Sequence, residues 1–539
     1  MVETEVLIVG GGPVGLALAC ELGWRGVRCV LVERRDGSVT HSKMNMVSTR
    51  SMEHCRRWGI AEEVRRRSIP EDYPRSVRFV TSTTGFELFR FDYPSRAEAQ
   101  HPHSPVYLQR CPQSEFDPLL RETAKASAGI QLTYRTELQK FEETTFGVRA
   151  LVRDVDRGTA REVNARYLVG CDGAGSHVRE QLGIELEGDA ALSHDVNLLV
   201  ESDDFNAFCP GEKAVMQWIF DATGYIGSVV AVDGRRQWRI GMRGVPIGKV
   251  PTEEEARAFV ERLVGRPLRF AIRSILPWTR RRVVAERYRK GRAFLAGDAA
   301  HQLSPTGGFG MNTGIGDAID LAWKLEAVLK GWGGPSLLDS YEAERQPIGQ
   351  LVTDEGARNF SALTRVPTAP EIAEHSPRGA AVRTQAASFI RDNGYEREYE
   401  TEGISLGYRY ERSPIIVHDG DAGPAFDVMR YRPSAAPGHR APHAWLEPSR
   451  STLDLFGHGF TLLGFAGDDA DTQRLSMLAA ALTIPLRVVR IECANTAALY
   501  EHRLVLVRPD GHVAWRANRL DGAERKILDK VCGRSDSAD

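Results

Sequence analysis

Residues 5–33 read EVLIVGGGPVGLALACELGWRGVRCVLVE, and their pattern decides the fold. Glu5 to Gly10 is a short β-branched apolar run, as in a strand buried on both faces. It gives way at once to Gly10-Gly11-Gly12-Pro13-Val14-Gly15 and then to apolar residues at helical spacing. A second buried run, Arg28 to Glu33, closes a β-α-β unit on an acid. In this G-x-G-x-x-G, Gly10 suits a tight turn, Gly12 lets the backbone approach a pyrophosphate, and Gly15 lets helix and strand pack closely. The helix N-terminus offers N–H groups and a positive dipole end to the anion. Glu33 lies about 18 residues past Gly15, close to the roughly 20 expected of an acid that accepts hydrogen bonds from ribose hydroxyls. The unit therefore predicts a dinucleotide site. FAD and NAD(P) share the fingerprint, and with no second G-x-G-x-x-G in the chain one resident dinucleotide is expected.

Outward from this unit, ARYLVG (165–170) and RAFLAG (292–297) are strand-like runs that end in Asp-Gly or Gly-Asp pairs. Pieces of one doubly wound sheet are thus spread over the first three hundred residues. Between them, residues 185–275 alternate apolar and polar side chains (MQWIF, YIGSVVAV, QWRIGMR), which predicts an inserted antiparallel sheet. Asp317 to Lys330 has helical periodicity, and Pro347 falls inside or just after a second helical stretch from Leu337. From 360 to 440 Pro, Gly and Arg recur without clear period, the composition of loops and a domain connection. Strand candidates return at 460–467, 486–492 and 502–517, the last a hairpin about Pro509-Asp510-Gly511. The expected domains are 1–184 and 276–400 for the two parts of the dinucleotide domain (the second with a helical segment), 185–275 for the inserted sheet, 401–439 for a linker and 440–539 for a C-terminal domain.

A chain of 539 residues holds roughly three domains. Lys and Arg number 70 against 72 Asp and Glu, and the net charge of −2 provides no electrostatic footprint for nucleic acid or an anionic membrane. The eight cysteines, Cys209 among them, include no C-x-x-C and no zinc spacing, so they read as reduced structural thiols, with no metal site. Met1 leads directly into a strand, and no apolar run approaches the 18 or so residues of a membrane span. A cytoplasmic protein with a small-molecule partner is expected.

Two further motifs carry chemistry. One is Cys171-Asp172-Gly173-Ala174-Gly175-Ser176, with Arg179 beyond it. The other is Gly297-Asp298-Ala299-Ala300-His301, which continues through Pro305 and Gly307 to Asn312 and Asp317. A carboxylate at a strand C-terminus suits a ribityl hydroxyl, and a glycine-rich turn at a helix N-terminus offers backbone N–H groups to a polarised heterocycle.

GGGPVG, Gln113 in CPQSEFDPLL, YLVGCDGAGS and FLAGDAAHQLSPTGGFGMNTGIGDAIDLAWKL together resemble the single-component FAD-dependent aromatic hydroxylases typified by para-hydroxybenzoate hydroxylase and phenol hydroxylase. The closing RAPHAWL and LVRPDGHVAWRA resemble the thioredoxin-like C-terminal domain of the phenol- and polyketide-hydroxylase branches. The resemblance implies an α/β fold: a Rossmann-like FAD-binding domain, an inserted antiparallel-sheet substrate domain and a thioredoxin-like C-terminal α/β domain. Lacking C-x-x-C, the last is expected to pack or dimerise and not to carry electrons.

By the same resemblance Gly10, Gly12, Pro13, Gly15 and Glu33 hold the adenosine part of noncovalent FAD. Gln113, Gly297 and Asp298 contact its middle, and Pro305, Gly308, Gly310, Met311 and Asn312 line the isoalloxazine. Asp172 and Gly173 serve both FAD and NADPH. Lys43 stands where the family carries an arginine, a point charge in place of a bidentate fork, and Arg50 is a candidate to compensate. Arg34, with Arg35, either attracts NADPH phosphates or forms a solvated basic turn.

For substrate, the resemblance points to Tyr225 and Arg239 as part of the wall over the ring, and His301 is a candidate proton relay. A packed sheet-face aromatic and a hydrogen-bonded turn histidine are the competing roles. The implied activity is hydroxylation of a phenolic or other electron-rich ring with NADPH and O2 through a C4a-hydroperoxyflavin, by a monomer or homodimer. Epoxidation or Baeyer–Villiger oxidation of a polycyclic metabolite is the first alternative, and a flavin-binding redox sensor without turnover the second.

Overall fold

The structure, a computed structural model, describes residues 2–208, 213–465 and 469–534. Cys209 and the last five residues of the chain lie outside them.

The apolar run at the start forms the strand Val2–Val9, which pairs in parallel with Cys29–Val32 on one side and with Ala160–Gly170 on the other. Ile130–Thr133 extends the sheet beyond Cys29–Val32, and Ala293–Leu295 beyond Ala160–Gly170. The four runs read from sequence as pieces of one sheet are therefore hydrogen-bonded neighbours. Strands such as Cys29–Val32, with all four residues buried, carry apolar side chains on both faces because helices cover both. The helix Pro13–Trp24 packs between this sheet and the helix Gly310–Leu329.

A second eight-stranded sheet stands beside the first. Its core strands are Leu186–Glu201, Met216–Asp221, Gly224–Ala231, Gln237–Arg243 and Ala271–Ala285. It is not confined to 185–275. The hairpin Val77–Val80 and Glu87–Phe91 adds to its edge, in parallel with Met216–Asp221. Ala271–Ala285 runs past the expected edge at 275 to pair with His301–Gln302. Both additions are nonlocal pairings, which hydrophobic period alone does not encode.

The segment 360–440 also departs from the loop reading, because Pro377–Asp392 is a helix. Ser376 caps it by accepting from the Gly379 N–H at 3.1 Å, and Pro377 occupies the first helical position, where its missing N–H costs nothing. Pro347 is tolerated inside the long helix Ser340–Leu363.

The C-terminal domain has the order β-α-β-α-β-β-α, with Phe460–Phe465 parallel to Leu486–Ile491 and antiparallel to Leu504–Val507, and Val513–Ala517 completing the hairpin. This is a thioredoxin-like sheet. Trp323 and Ala327 of the helix Gly310–Leu329 pack against its Phe460, Leu462 and Trp515. Among the described residues no helix is long and apolar enough to cross a membrane.

Candidate active site

The glycine turn is built as its sequence requires. Gly10 has φ +108°, and a Cβ there would overlap the Cys171 carbonyl. A Cβ on Gly15 would overlap the carbonyl of Gly10. Gly12 differs, since a Cβ there would meet no atom within 4 Å. The open side of the turn thus lies at the N-terminus of the helix Pro13–Trp24, with Pro13 in its first position, where an anion is favoured. Glu33 accepts the Gly11 N–H at 2.7 Å and the Arg35 N–H at 2.8 Å. Arg34 is exposed on the turn beyond.

Three motifs converge on Val14. A Cβ on Gly297 or on Gly314 would press on the Val14 side chain, so the Gly-Asp turn, the first helix and the helix Gly310–Leu329 meet without intervening side chains. At that junction Asp298 is solvent-accessible, and among the described residues no donor lies within hydrogen-bond distance of its carboxylate. Desolvation by the surrounding protein raises the pKa of its carboxyl, against the attraction of His301 and Lys43. A carboxylate open to a cleft and unpartnered, beside a turn with an unfilled side, fits the ribityl and pyrophosphate portions of FAD.

The loop expected against the isoalloxazine is tied down from within. Asn312 Nδ2 donates to the carbonyls of Gly308 (2.8 Å) and Met46 (3.1 Å), while its Oδ1 accepts from Ser48 N and Ser51 Oγ, both at 2.8 Å. Its side chain is consumed in fastening the loop to residues 46–51, and the backbone of Pro305, Gly308, Gly310 and Met311 is left for the heterocycle. Gly308, at φ +66°, has no room for a Cβ against Met46. Gln113 accepts from Lys43 N at 3.2 Å and donates to Asp117 at 2.9 Å, so it too orders the segment that carries Lys43.

Several expected residues do other work. Both Asp172 oxygens are used at the start of the helix His177–Leu182, accepting from Ser176 Oγ at 2.5 Å and Val178 N at 3.1 Å, while Gly173, at φ +82°, and Gly175 leave open space. Arg50 has its guanidinium committed within the protein. Its guanidinium donates to Glu53 at 2.7 Å and to the Asp510 carbonyl at 2.6 Å, a partner 460 residues away that local sequence could not reveal. His301 is fully buried, with Nε2 2.8 Å from Asp317 Oδ2, and so belongs to the turn and not to a relay open to the cleft. Tyr225 is 7% exposed and packs edge-on to Trp218, with Arg243 over its ring. Burial pushes its phenol up.

Arg239 lies on the sheet face turned toward Lys43. In its strand Trp238 and Ile240 turn toward the face covered by the helix Glu253–Val264, and Arg239 points the other way. Its Nη1 donates to the Lys43 carbonyl at 2.7 Å.

Glu398 escaped the sequence reading, lying in a stretch without period. Burial pushes its carboxyl up to about 8, opposed by Arg280 and by the Gly307 N–H it accepts. It is a protonated acid against the cofactor loop at neutral pH.

A dinucleotide cradle, a free carboxylate after a parallel strand and a glycine loop beside a second sheet define a flavin-dependent oxidoreductase. The FAD-binding-domain family profile matches residues 3–356, and that of the aromatic-ring hydroxylase C-terminal domain matches 434–535. A putative polyketide hydroxylase of Streptomyces halstedii is 34% identical over 97% of this chain and 95% of its own length. The 2,4-dichlorophenol 6-monooxygenase of Cupriavidus pinatubonensis is 32% identical over 99% of this chain and 98% of its own length. Among solved structures, the rebeccamycin biosynthetic enzyme RebC superposes with TM-score 0.93 at 39% identity, covering 99% of this chain and all of that one. The chain belongs to the FAD-dependent aromatic-ring hydroxylases and is an FAD-dependent monooxygenase.

Proposed function

We propose that the chain hydroxylates a phenolic or other electron-rich aromatic small molecule, with NADPH as transient electron donor and O2 as co-substrate, as a monomer or homodimer in the cytoplasm. One arrangement carries the reading. The segment from His41 to Ser48 is bonded on one side to the second sheet, through His41 to Ser274 (2.7 Å), Asn45 to Ala231 (3.0 Å) and Arg239 to Lys43 (2.7 Å). On its other side it is bonded to Asn312 of the cofactor loop. A ring lying on the sheet face is thereby held next to the loop.

Bound FAD supplies hydride acceptance and O2 activation. The chain has to hold the ring, exclude water and manage a proton. Trp218, Tyr225 and Phe360 supply a dry aromatic wall, and Glu398 holds a proton beside Gly307. The relatives named for a chlorophenol and for polyketides bracket the substrate between a single ring and a fused system.

The test is anaerobic reduction of the purified yellow protein by NADPH across phenols, hydroxybenzoates and polycyclic quinones, followed by product analysis in air. Acceleration by one aromatic class, with one oxygen atom added to it, is expected. NADPH oxidation indifferent to every aromatic would leave a flavin-binding sensor in its place.

A further inference from the structure

The tip of the C-terminal hairpin is bonded to two helices that meet each other at the cofactor loop. Arg508, fully buried, donates to Asp320 of the helix Gly310–Leu329 at 3.0 Å and to its own neighbour Asp510 at 2.7 Å. Asp510 accepts the His512 N–H at 3.1 Å, and the Arg508 N–H donates to the His512 carbonyl at 2.8 Å, so the tip is closed on itself. From the backbone of this tip, the Asp510 carbonyl accepts Arg50 Nη2 at 2.6 Å, in the helix Thr49–Arg57. At the start of that helix Ser48 N and Ser51 Oγ donate to Asn312 Oδ1. Asn312 stands in the first turn of the helix Gly310–Leu329. The bonds therefore run in a circuit, from Asp320 through Arg508, Asp510, Arg50 and Ser51 to Asn312, two turns before Asp320 on the same helix.

Arg50 is the link between the hairpin and the clamp on the loop, and its orientation is fixed. Its Nη1 donates to Glu53 at 2.7 Å while Nη2 is held by the Asp510 carbonyl, and a planar fork with both ends engaged has one placement. Glu53 is itself held in place, accepting Arg440 Nε at 3.1 Å and Ser104 Oγ at 2.8 Å. Arg440 is further bonded to the Tyr431 hydroxyl at 3.1 Å. All of these side chains are buried, where hydrogen bonds are strengthened and a broken one leaves a group without water to replace it. Against the cost of burial, Arg440 and then Arg50 keep the Glu53 carboxyl below the ordinary carboxylate range, so the cluster stays charged. At the other end of the link Asn312 fastens Gly308 and Met46 together through their carbonyls.

We infer that the hairpin tip Arg508–His512 is a spacer for the flavin, and that Arg50 is a positioning residue which, with Ser51, transmits the tip's position to Asn312 and so to the loop against the isoalloxazine. The C-terminal domain thereby takes part in the flavin chemistry without carrying electrons. The inference depends on FAD lying against this loop and is independent of which ring is hydroxylated. Backbone N–H groups held toward the heterocycle favour the negative charge it gains on reduction. A loop released from its spacer should therefore bind FAD less tightly and lower its midpoint potential. Coupling between Arg50 and Asn312 is the direct test of such a route.

The full-length apoprotein is titrated with FAD, following flavin fluorescence, and the midpoint potential of the bound flavin is measured, for Arg50→Met, Asn312→Ala and the double variant. Ser104→Ala is the control, since it removes another bond to Glu53 but none on the circuit. Arg50→Met should raise the Kd for FAD about tenfold and shift the potential downward, and Asn312→Ala should do the same. The double variant should be within about twofold of Asn312→Ala alone, because both act through one loop. Ser104→Ala should keep the Kd within about twofold of wild type, with its potential unmoved. Arg50→Lys, which keeps the charge and loses the fork, should fall between wild type and Arg50→Met. Should Arg50→Met fail to fold, Arg50→Lys combined with Ser51→Ala provides the same cycle. Unchanged FAD affinity and potential in the Arg50 variants overturns the inference. Effects that multiply in the double variant, or an equal loss in Ser104→Ala, overturn it as well, by reducing Arg50 to a contributor to general stability.

Discussion

His301 Nε2 lies 2.8 Å from Asp317 Oδ2, and neither side chain has any solvent exposure. The same Asp317 accepts the Gly297 N–H at 3.1 Å and Arg345 Nε at 2.8 Å, and its charge is held below the ordinary carboxylate range against the cost of burial. The histidine therefore braces the turn that presents Asp298. His301→Asn should cost about 1–3 kcal/mol of stability and weaken FAD binding. The pH profile of kcat should keep its shape, and loss of a limb from that profile would restore the histidine as a proton relay.

Gly12 and Gly15 belong to one motif yet should fail differently when substituted. Gly12→Ala meets no atom of the chain and has an ordinary φ of −76°, so the variant should fold with an unchanged apoprotein melting temperature while losing FAD. Gly15→Ala collides with the Gly10 carbonyl and should express poorly whatever flavin is supplied. Thermal denaturation of the apoproteins together with flavin titration checks both.

Glu398 should leave a pH signature. Its carboxyl titrates near 8 in the folded chain and near 4.5 when unfolded, so between those values the folded state holds a proton that the unfolded state releases. Stability from this residue is present at low pH and is lost as pH rises through that window. Glu398→Gln removes the loss, and its stability relative to wild type should climb with pH by up to about 1.4 kcal/mol per unit between roughly 5 and 8. Urea denaturation at three pH values reads the slope, and parallel curves would contradict the assignment.

Arg508 is fully buried between Glu344 (2.6 Å), Asp320 (3.0 Å) and Asp510 (2.7 Å), with Lys324 bonded to the first two. Arg508→Met leaves these acids undercompensated and should destabilise the chain by about 3–5 kcal/mol. The paired replacement Cys493→Ser and Cys532→Ser should leave NADPH-dependent turnover unchanged, because Cys532 is buried and Cys493 exposed, so the two form no dithiol. Turnover assays with retained flavin content test the second statement.

What could be read in advance followed from locality. The turn at Gly10 to Gly15, the strands on either side of it and the hairpin about Pro509 are each specified within a few residues, and each stands where its sequence puts it. The sheet edge at Val77–Phe91 and the bond from Arg50 to Asp510 depend on partners far along the chain. The helix Pro377–Asp392 was within reach, since Ser376-Pro377 is a helix-start signal, but the density of Pro, Gly and Arg around it masked the period. For Glu398 nothing in the neighbouring residues marks an acid that the fold will desolvate.

The junction at Arg508 also bears on how the chain is made. Asp320 and Glu344 emerge from a ribosome long before residue 508, and until then Lys324 is the only one of their two cations available. The flavin half cannot finish packing in the order of its synthesis, because the partner that balances its central helices is encoded near the very end. Flavin capture would then be a late event, following release of the completed polypeptide, and a truncated messenger would yield an open, colourless intermediate for the cell's quality control.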